Sequence, residues 1–531
     1  MTIRLRPDRA VVIGAGVGGL SAAAQLATAG LDVTVLERAE APGGKLREVT
    51  AGGVALDAGP TVFTMRWIFE QLFDACGGSL ADALDLTPVD RLARHGWTDG
   101  ETFDLYADPE RARDAVAEFA GPAEAERFDA FKAQASRIYR ALEQPFIARQ
   151  RPDMVELLRR VGLRRLPALF ETTPFESMAK ALARSFEHPK LRQLFGRYAT
   201  YCGSSPYAAP ATLMLVAHVE LEGVWLVEGG MHRIARAVEA LAAQNGARFR
   251  YGAHVSRVLV EGGRVSGVAL ADGERLPADL VVANADAGAL ADGRFGPEAA
   301  KAVGRVPRKA RSISAMVWSA RAQTSGFPLT RHSVFFDTAD YADEFRRIFR
   351  DRRTPDAPTV YICAQDRGET PPDAPIGPER LHIHVNAPAD GDHRPMTAEE
   401  IAQCEKTTLS VLDRCGLTVD LQPHATVLTT PAGFEKLFPA TGGALFGRVT
   451  HGAFGTFKRP SARTRLPGLY LAGGSVHPGA GVPMACMSGQ LAAAAALRDR
   501  GSAQPRRVTA SAPASTASAR PAAISGGMST P

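Results

Sequence analysis

Glycines near the two ends of the chain stand where a backbone must come close to a ligand. In VVIGAGVGGLSAAAQLATA (Val11–Ala29), the spacing Gly14-x-Gly16-x-x-Gly19 follows an apolar strand and opens a helix. The first glycine permits the tight turn. The second lets a pyrophosphate approach free N–H groups at a helix N-terminus, and the third lets helix and strand pack closely. Val17 and Gly18 belong to the same turn. Glu37 ends the next strand, where its carboxylate can accept from ribose hydroxyls, with Arg38 beside it. That acid would repel a ribose 2′-phosphate, which argues against NADP and leaves FAD or NAD. Gly43-Gly44 and then Lys45 follow just past it. A glycine pair and a cation there suggest a loop folded back over the diphosphate of a long cofactor; a plain surface turn is the alternative.

The second stretch is LYLAGGSVHPGAGVPMACMSGQLAAAAAL (Leu469–Leu497), again strand, glycine loop and helix. FAD is too long for one glycine turn to hold. Gly473 and Gly474 would give a second wall for its ribityl–isoalloxazine half. A helix from about Pro483 would aim its positive end at the flavin N1–C2 carbonyl, favouring the negative charge that gathers there on reduction. A packing helix with a flexible loop is the alternative reading.

The elements that must position these residues can be followed along the chain. It has 531 residues, 45% hydrophobic and 22% charged, with net charge +5. That length suits roughly two to four domains at about 150 residues each. The charge excess is too small and dispersed for a nucleic-acid partner. Six cysteines without C-x-x-C spacing argue against a metal site or a disulfide framework, and for reduced thiols. The apolar run after Arg4, Arg6 and Arg9 is broken by glycines and does not read as a signal peptide, and no run of about 18 apolar residues spans a bilayer.

Residues 1–65, 223–295 and 436–500 read as one α/β FAD-binding domain interrupted twice. The span 66–222 reads as a helical substrate and membrane-contact region, 296–435 as a substrate domain, and 501–531 as a disordered tail. HVSRVLV and RVSGVAL flank Glu261-Gly262-Gly263, a three-residue hairpin signal, and DLVVANAD reads as a buried strand with a loop at its carboxyl end.

VVIGAGVGGLSAA with LERAEAPGGK is shared across the amine-oxidase-like flavoproteins. YCGSSPYAAPA, GVWLVEGGMHRIARAVEALA and LYLAGGSVHPGAGVPMACMSGQLAA are closer to the flavin-dependent, phytoene-type carotenoid desaturases. TPAGFEKLFPATGGALFGR and FKRPSARTRLPGLYLAGGSVHPGAGVPMA resemble the branch acting on hydroxylated or methoxylated acyclic carotenoids. The resemblance covers roughly residues 10–500. It implies an α/β fold: a Rossmann-type FAD-binding domain, amine-oxidase/glutathione-reductase-like, interrupted by a mixed α+β substrate domain with a helical membrane-facing part. It also implies FAD-dependent C-3,4 desaturation of a 1-hydroxy or methoxy carotenoid. By the same resemblance, Val255 would meet the adenine through its backbone. Gly59, Pro60 and Thr61 would lie near the flavin ring, and Val482, Pro483 and Met484 at its pyrimidine end. Where many flavoproteins carry an Asp this chain has Gly474, so a ribityl contact there must come from backbone.

In such a reaction flavin N5 accepts hydride and a proton leaves the neighbouring carbon. No strong protein base stands out. His232, His451 and His477 fall in motif stretches, each as a candidate proton acceptor or a structural hydrogen-bonding histidine. The electron acceptor, oxygen or a quinone, is left open by the residues. A carotenoid lives in the bilayer, so an apolar tunnel and peripheral contact at the cytoplasmic side of the membrane are expected. In RQRPDMVELLRRVGLRRLPALF (Arg149–Phe170), Met154, Leu157, Leu158 and Val161 share a helical face, and Arg159, Arg160, Arg164 and Arg165 could meet lipid phosphates. An ordinary surface helix is the competing reading. Ser204, Ser205, Pro206 and Tyr207 would line the route to the flavin or form a turn with no ligand contact. Other enzymes of the superfamily stand as alternatives: an amine or protoporphyrinogen oxidase, a phytoene desaturase or a carotenoid isomerase. A non-enzymatic prenyl-lipid escort is another.

Overall fold

The run RAVVI is apolar and rich in branched side chains, the pattern of a strand covered on both faces. In the computed structural model, which describes residues 8–161, 175–338, 340–368 and 375–501, it is the centre of a five-stranded parallel sheet. The strands are β1 (Arg9–Ile13), β2 (Asp32–Leu36), β3 (Arg248–Arg250), β4 (Leu280–Ala283) and β5 (Leu469–Leu471), in the order β5-β4-β1-β2-β3. Val11 pairs with Thr34 on one side and Val281 on the other. Helix α1 (Val17–Thr28) carries the chain from β1 to β2, whereas β4 lies on the opposite side of β1. The strand order therefore reverses at β1, and a crevice opens at the carboxyl ends of the strands, where α/β sheets bind ligands.

The carboxyl-terminal helix α2 (Val482–Asp499) packs directly on α1, although their sequences are far apart. Ser21 Oγ donates to Cys486 Sγ at 3.3 Å. A Cβ on Gly489 would stand 2.0 Å from the Gly18 carbonyl oxygen. The Ala-rich faces of both helices are what permit this close approach.

A second, eight-stranded mixed sheet forms the other half of the molecule. Its main order runs through strands Leu417–Asp420, Ser314–Gly326, Glu379–Ala387, Val360–Ala364, His332–Phe336, Arg91–Trp97 and Thr102–Tyr106. The span expected to be helical, 66–222, thus contributes two strands to this sheet. The missed signal is the turn Thr98–Glu101, with Asp99-Gly100 between alternating apolar runs; Gly100 adopts φ +89°. The hairpin at 261–264 also differs from expectation. Glu261 pairs with Arg264 across a two-residue loop, Gly262 and Gly263 at φ +56° and +75°, because two left-handed residues match the twist of the flanking strands.

Helices Pro122–Leu142, Met178–Ser185, Pro189–Gly196 and Leu215–Leu221 pack beside this second sheet. No helix among the described residues is long and apolar enough to cross a membrane. The tail beyond 501 and residues 162–174, with Arg164 and Arg165, lie outside the described residues.

Candidate active site

Three strand ends and two helix starts converge on one crevice. Gly14 turns the chain out of β1 at φ +94°, and a Cβ on Gly19 would stand 2.1 Å from the Gly14 carbonyl oxygen. Gly19 is thus a packing glycine and does not line the cavity. Gly16 caps α1 with no side-chain hydrogen bond, and no acid lies in the first turn. The N–H groups and positive end of α1 are left for a ligand. Glu37, at the end of β2, is held by the turn: Oε2 accepts the Ala15 N–H at 2.7 Å and Oε1 the Ala39 N–H at 2.8 Å. Its remaining lone pairs are free for hydroxyls. Exposed Arg38 reaches the Lys436 and Leu437 carbonyls.

The Gly43–Lys45 loop lies against this turn. Gly43 donates its N–H to Ala15 O at 2.8 Å and forms a bridge with Gly16. At φ +117°, its Cβ would fall 2.0 Å from Leu46 O, and a Cβ on Gly44 would meet Gly16 Cα at 3.3 Å. Half-buried Lys45 donates to the Leu445 carbonyl. Burial drives its pKa down from the lysine range, partly offset by Asp286. A Cβ on Gly59 would collide with Lys45 O at 1.8 Å, and Thr61 Oγ1 lies 2.6 Å from the Tyr361 hydroxyl.

The far wall comes from the other end of the chain. Gly473, at φ +106°, donates to Ser488 Oγ at 3.2 Å. Arg459 donates to the Gly474 carbonyl at 3.1 Å. Gly481 caps α2, again with no side-chain bond and no acid in the first turn. Asn284, at the end of β4, joins the parts: a Cβ on Gly16, Gly18 or Gly473 would stand 2.6, 2.8 or 2.6 Å from its amide atoms. Sequence reading passed over Asn284 and Arg459. The available signal was a polar residue directly after the buried run LVVA.

A cavity of about 1340 Å³ joins these elements, larger than the roughly 300–1,000 Å³ of a typical small-molecule site. Gly14, Gly16, Val17, Gly18, Glu37, Arg38, Gly43, Gly44, Lys45, Gly59, Pro60, Thr61, Val255, Gly473, Gly474, Val482, Pro483 and Met484 all lie on its wall. Two uncapped helix starts, glycines with no room for a Cβ and a fixed carboxylate form a cradle whose donor set suits a flavin dinucleotide. No cluster of metal-ligating side chains occurs among the described residues.

Of the candidate histidines, His232 lies on the cavity wall and His451 and His477 do not, and all three rings have partners in the protein. His232 Nε2 donates to Pro42 O at 2.9 Å, and its Nδ1 lies 3.0 Å from Glu48 Oε2, so the ring braces the Gly43 loop. His477 is off the cavity wall. Its Nε2 faces the carbonyls of Phe146 and Arg149 at 3.0 and 2.9 Å, and burial lowers its pKa to about 4. His451 accepts the Ser205 N–H at 3.1 Å and is lowered by burial to about 4. Ser204, Ser205, Pro206 and Tyr207 are likewise absent from the wall; Ser204 Oγ accepts the Thr450 N–H at 2.9 Å.

Beyond the glycine cradle the wall becomes apolar, with Leu142, Phe146, Leu213, Val216 and Val219. Its polar groups are mostly held neutral. His382 and His384 share one face of strand Glu379–Ala387, and burial lowers them to about 3 and about 4. Tyr361 on the wall bonds His332 Nδ1 at 2.7 Å, and burial keeps that ring near 3. A charged cluster, Arg197, Tyr201 and Glu220, also faces the cavity.

Comparison with known proteins gives a consistent result. The profile of the flavin-containing amine oxidoreductases matches residues 17–497. A hydroxyneurosporene desaturase of Rubrivivax gelatinosus is 52% identical over 530 residues, 99% of this chain and 98% of that protein. One from Cereibacter sphaeroides is 47% identical over 495 residues, 92% and 98% of the two chains. A 4,4'-diapolycopene oxygenase of a Methylomonas species is 34% identical over 488 residues, 91% and 97%. Among solved structures, a putrescine oxidase bound to putrescine superposes with TM-score 0.56 at 16% identity, covering 93% of this chain and 99% of that one. An oxidoreductase from Methanosarcina mazei gives 0.54 at 17% identity, covering 91% and 98%. At those identities the structures speak for the fold alone.

Proposed function

The chain belongs to the flavin-containing amine oxidoreductase family, and from that premise we propose that it is an FAD-dependent desaturase of acyclic carotenoids, acting at C-3,4 of a 1-hydroxy or methoxy carotenoid. The observation that carries this reading is the 52% identity to a hydroxyneurosporene desaturase across nearly the whole of both chains. When bound, FAD supplies an oxidant that takes up two electrons as hydride at N5. The protein's part is to hold and to exclude. The start of α1 and the Gly43-Gly44 loop suit the diphosphate, Glu37 the ribose, and the start of α2 the pyrimidine end of the ring. The apolar wall suits a polyene and keeps water from a reacting carbon that bears developing positive charge. His382 and His384, held neutral, add no further positive charge to that wall. Residues 1–65, 223–295 and 436–500 are read as the cofactor domain, with the two intervening spans as substrate regions.

Peripheral membrane contact belongs to the same proposal. Phe175, Tyr207 and Phe454 are exposed aromatics on neighbouring loops. Phe175 and Phe454 stand with ring centroids 6.2 Å apart, and Gly452 N–H bonds Ala208 O at 2.9 Å. Arg160, expected to meet lipid phosphates, is turned inward to Glu156 and the carbonyls of Pro145 and Gln150; Arg159 remains exposed. The deciding experiment incubates flavin-loaded protein with 1-hydroxyneurosporene, neurosporene and phytoene in parallel. The expected result is a red-shifted product, fastest from the hydroxylated carotenoid. Isomerisation without a red shift, or conversion of phytoene alone, would overturn the reading.

A further inference from the structure

A greasy cavity has little reason to keep an arginine and a carboxylate on its wall. Arg197 and Glu220 are only 5% and 4% exposed, and both, with Tyr201, line the cavity. Arg197 Nη1 donates to the Tyr201 hydroxyl at 2.8 Å, and its guanidinium lies over the Tyr198 and Tyr201 rings at 5.3 and 5.1 Å. The cluster is nevertheless incomplete. Arg197 Nε, Glu220 Oε2 and the Tyr198 hydroxyl are buried with no hydrogen bond of good geometry among the described residues, although Tyr198 and Tyr201 both stand close enough to act on the Glu220 carboxylate. Each unmet buried polar atom is costly, and more so when charged. Burial pushes the Glu220 carboxyl up while the charge of Arg197, with the Tyr198 and Tyr201 hydroxyls, pulls it back; no ion pair joins the two charges directly.

A ligand completing this arrangement must be neutral, since an amine or a carboxylate would upset the balance. It must also offer both a donor and an acceptor. An alcohol does both: its O–H donates to the Glu220 carboxylate while its oxygen accepts from Arg197. The cluster's position is equally specific. Tyr361, bonded to Thr61, lines the same cavity as Arg197, Tyr201 and Glu220. The cluster therefore shares a cavity with Gly59–Thr61, the segment assigned to the reactive ring. In a 1-hydroxy carotenoid the hydroxyl-bearing carbon is separated from the C-3,4 bond by a single carbon, so the hydroxyl must sit close to the reacting end.

Resting on the desaturase reading, the geometry points to Arg197, Tyr201 and Glu220 as the site that receives the substrate hydroxyl and sets preference for hydroxylated ends. A site built to hydrogen-bond a hydroxyl rejects the analogue lacking it far more strongly than an apolar pocket can. The test compares wild type, Tyr201→Phe and Glu220→Gln as flavin-loaded proteins with 1-hydroxyneurosporene and neurosporene. Affinity is read from the polyene spectrum and turnover from product. The expected result is that both variants lose at least about tenfold of the hydroxyl preference, in affinity and in kcat/KM, beyond any loss shared by the two substrates. Parallel losses for both carotenoids, or an unchanged preference, would overturn the assignment. A wild type that binds the hydroxylated carotenoid more tightly yet converts neither would overturn the desaturase reading and leave the affinity ratio of the variants to decide this site.

Discussion

Glu37 shows how one side chain is made ready for a cofactor. Both its oxygens are oriented by backbone N–H groups, those of Ala15 and Ala39, so a ribose bound as proposed would meet a carboxylate already fixed in place. Charge-assisted hydrogen bonds contribute about 1.5–3 kcal/mol each. Glu37→Gln should therefore weaken FAD binding by tenfold or more, measured by titrating apoprotein and following flavin fluorescence; unchanged affinity would remove Glu37 from the ribose site. Glu37 was legible as a ribose candidate because an acid at a strand end after a glycine turn has one common use. Whether His232 and His477 are proton acceptors or structural histidines was open in sequence, which shows that a histidine is present but not what its ring nitrogens touch; both rings face backbone carbonyls.

At the scale of elements, the site depends on the seam between α1 and α2. Gly18, Gly19 and Gly489 allow the two helices and β1 to meet at backbone distance, which brings both uncapped helix starts to one crevice. Gly489 is not on the cavity wall, yet it fixes where α2 begins to point. Gly489→Ala would place a methyl group 2.0 Å from the Gly18 carbonyl, against backbone that cannot rotate away. Overpacking of this kind costs about 1–3 kcal/mol. The expected outcome is a lower Tm together with reduced flavin retention on purification. A lower Tm with full flavin occupancy would show that the seam stabilises the fold without positioning the site. The helix periodicities and glycine turns were readable in sequence. The two strands within 66–222 carried a local signal in the Asp99-Gly100 turn that joins them, while their place in the sheet depends on His332–Phe336, far along the chain.

Five histidines across the molecule are held neutral by their surroundings. His332 and His382 are lowered to about 3, and His384, His451 and His477 to about 4, in each case chiefly by burial. In the unfolded chain each titrates near 6.5. Between those values the unfolded state binds more protons than the folded one, so stability is full above about pH 6.5 and declines as pH falls toward 4. Each histidine adds a slope of up to about 1.4 kcal/mol per pH unit. Urea midpoints should fall steeply from pH 6.5 to 4.5; a flat profile would contradict neutral burial. The aromatic patch gives a second prediction at this scale. Phe175→Glu with Phe454→Glu should abolish flotation with anionic liposomes while leaving flavin content intact, and undiminished flotation would place the membrane contact elsewhere.

The sequence by itself determined the local chemistry: a glycine turn, an acid at a strand end, a second glycine-lined helix start, and the family those patterns resemble. These follow from short-range rules about which residues permit tight turns and free N–H groups. Only the tertiary structure decided that the two helix starts form one cradle, that Asn284 and Arg459 tie it together, and that Arg197, Tyr201 and Glu220 face the same cavity. Those facts depend on contacts between residues hundreds of positions apart, where packing rather than local propensity chooses the neighbours.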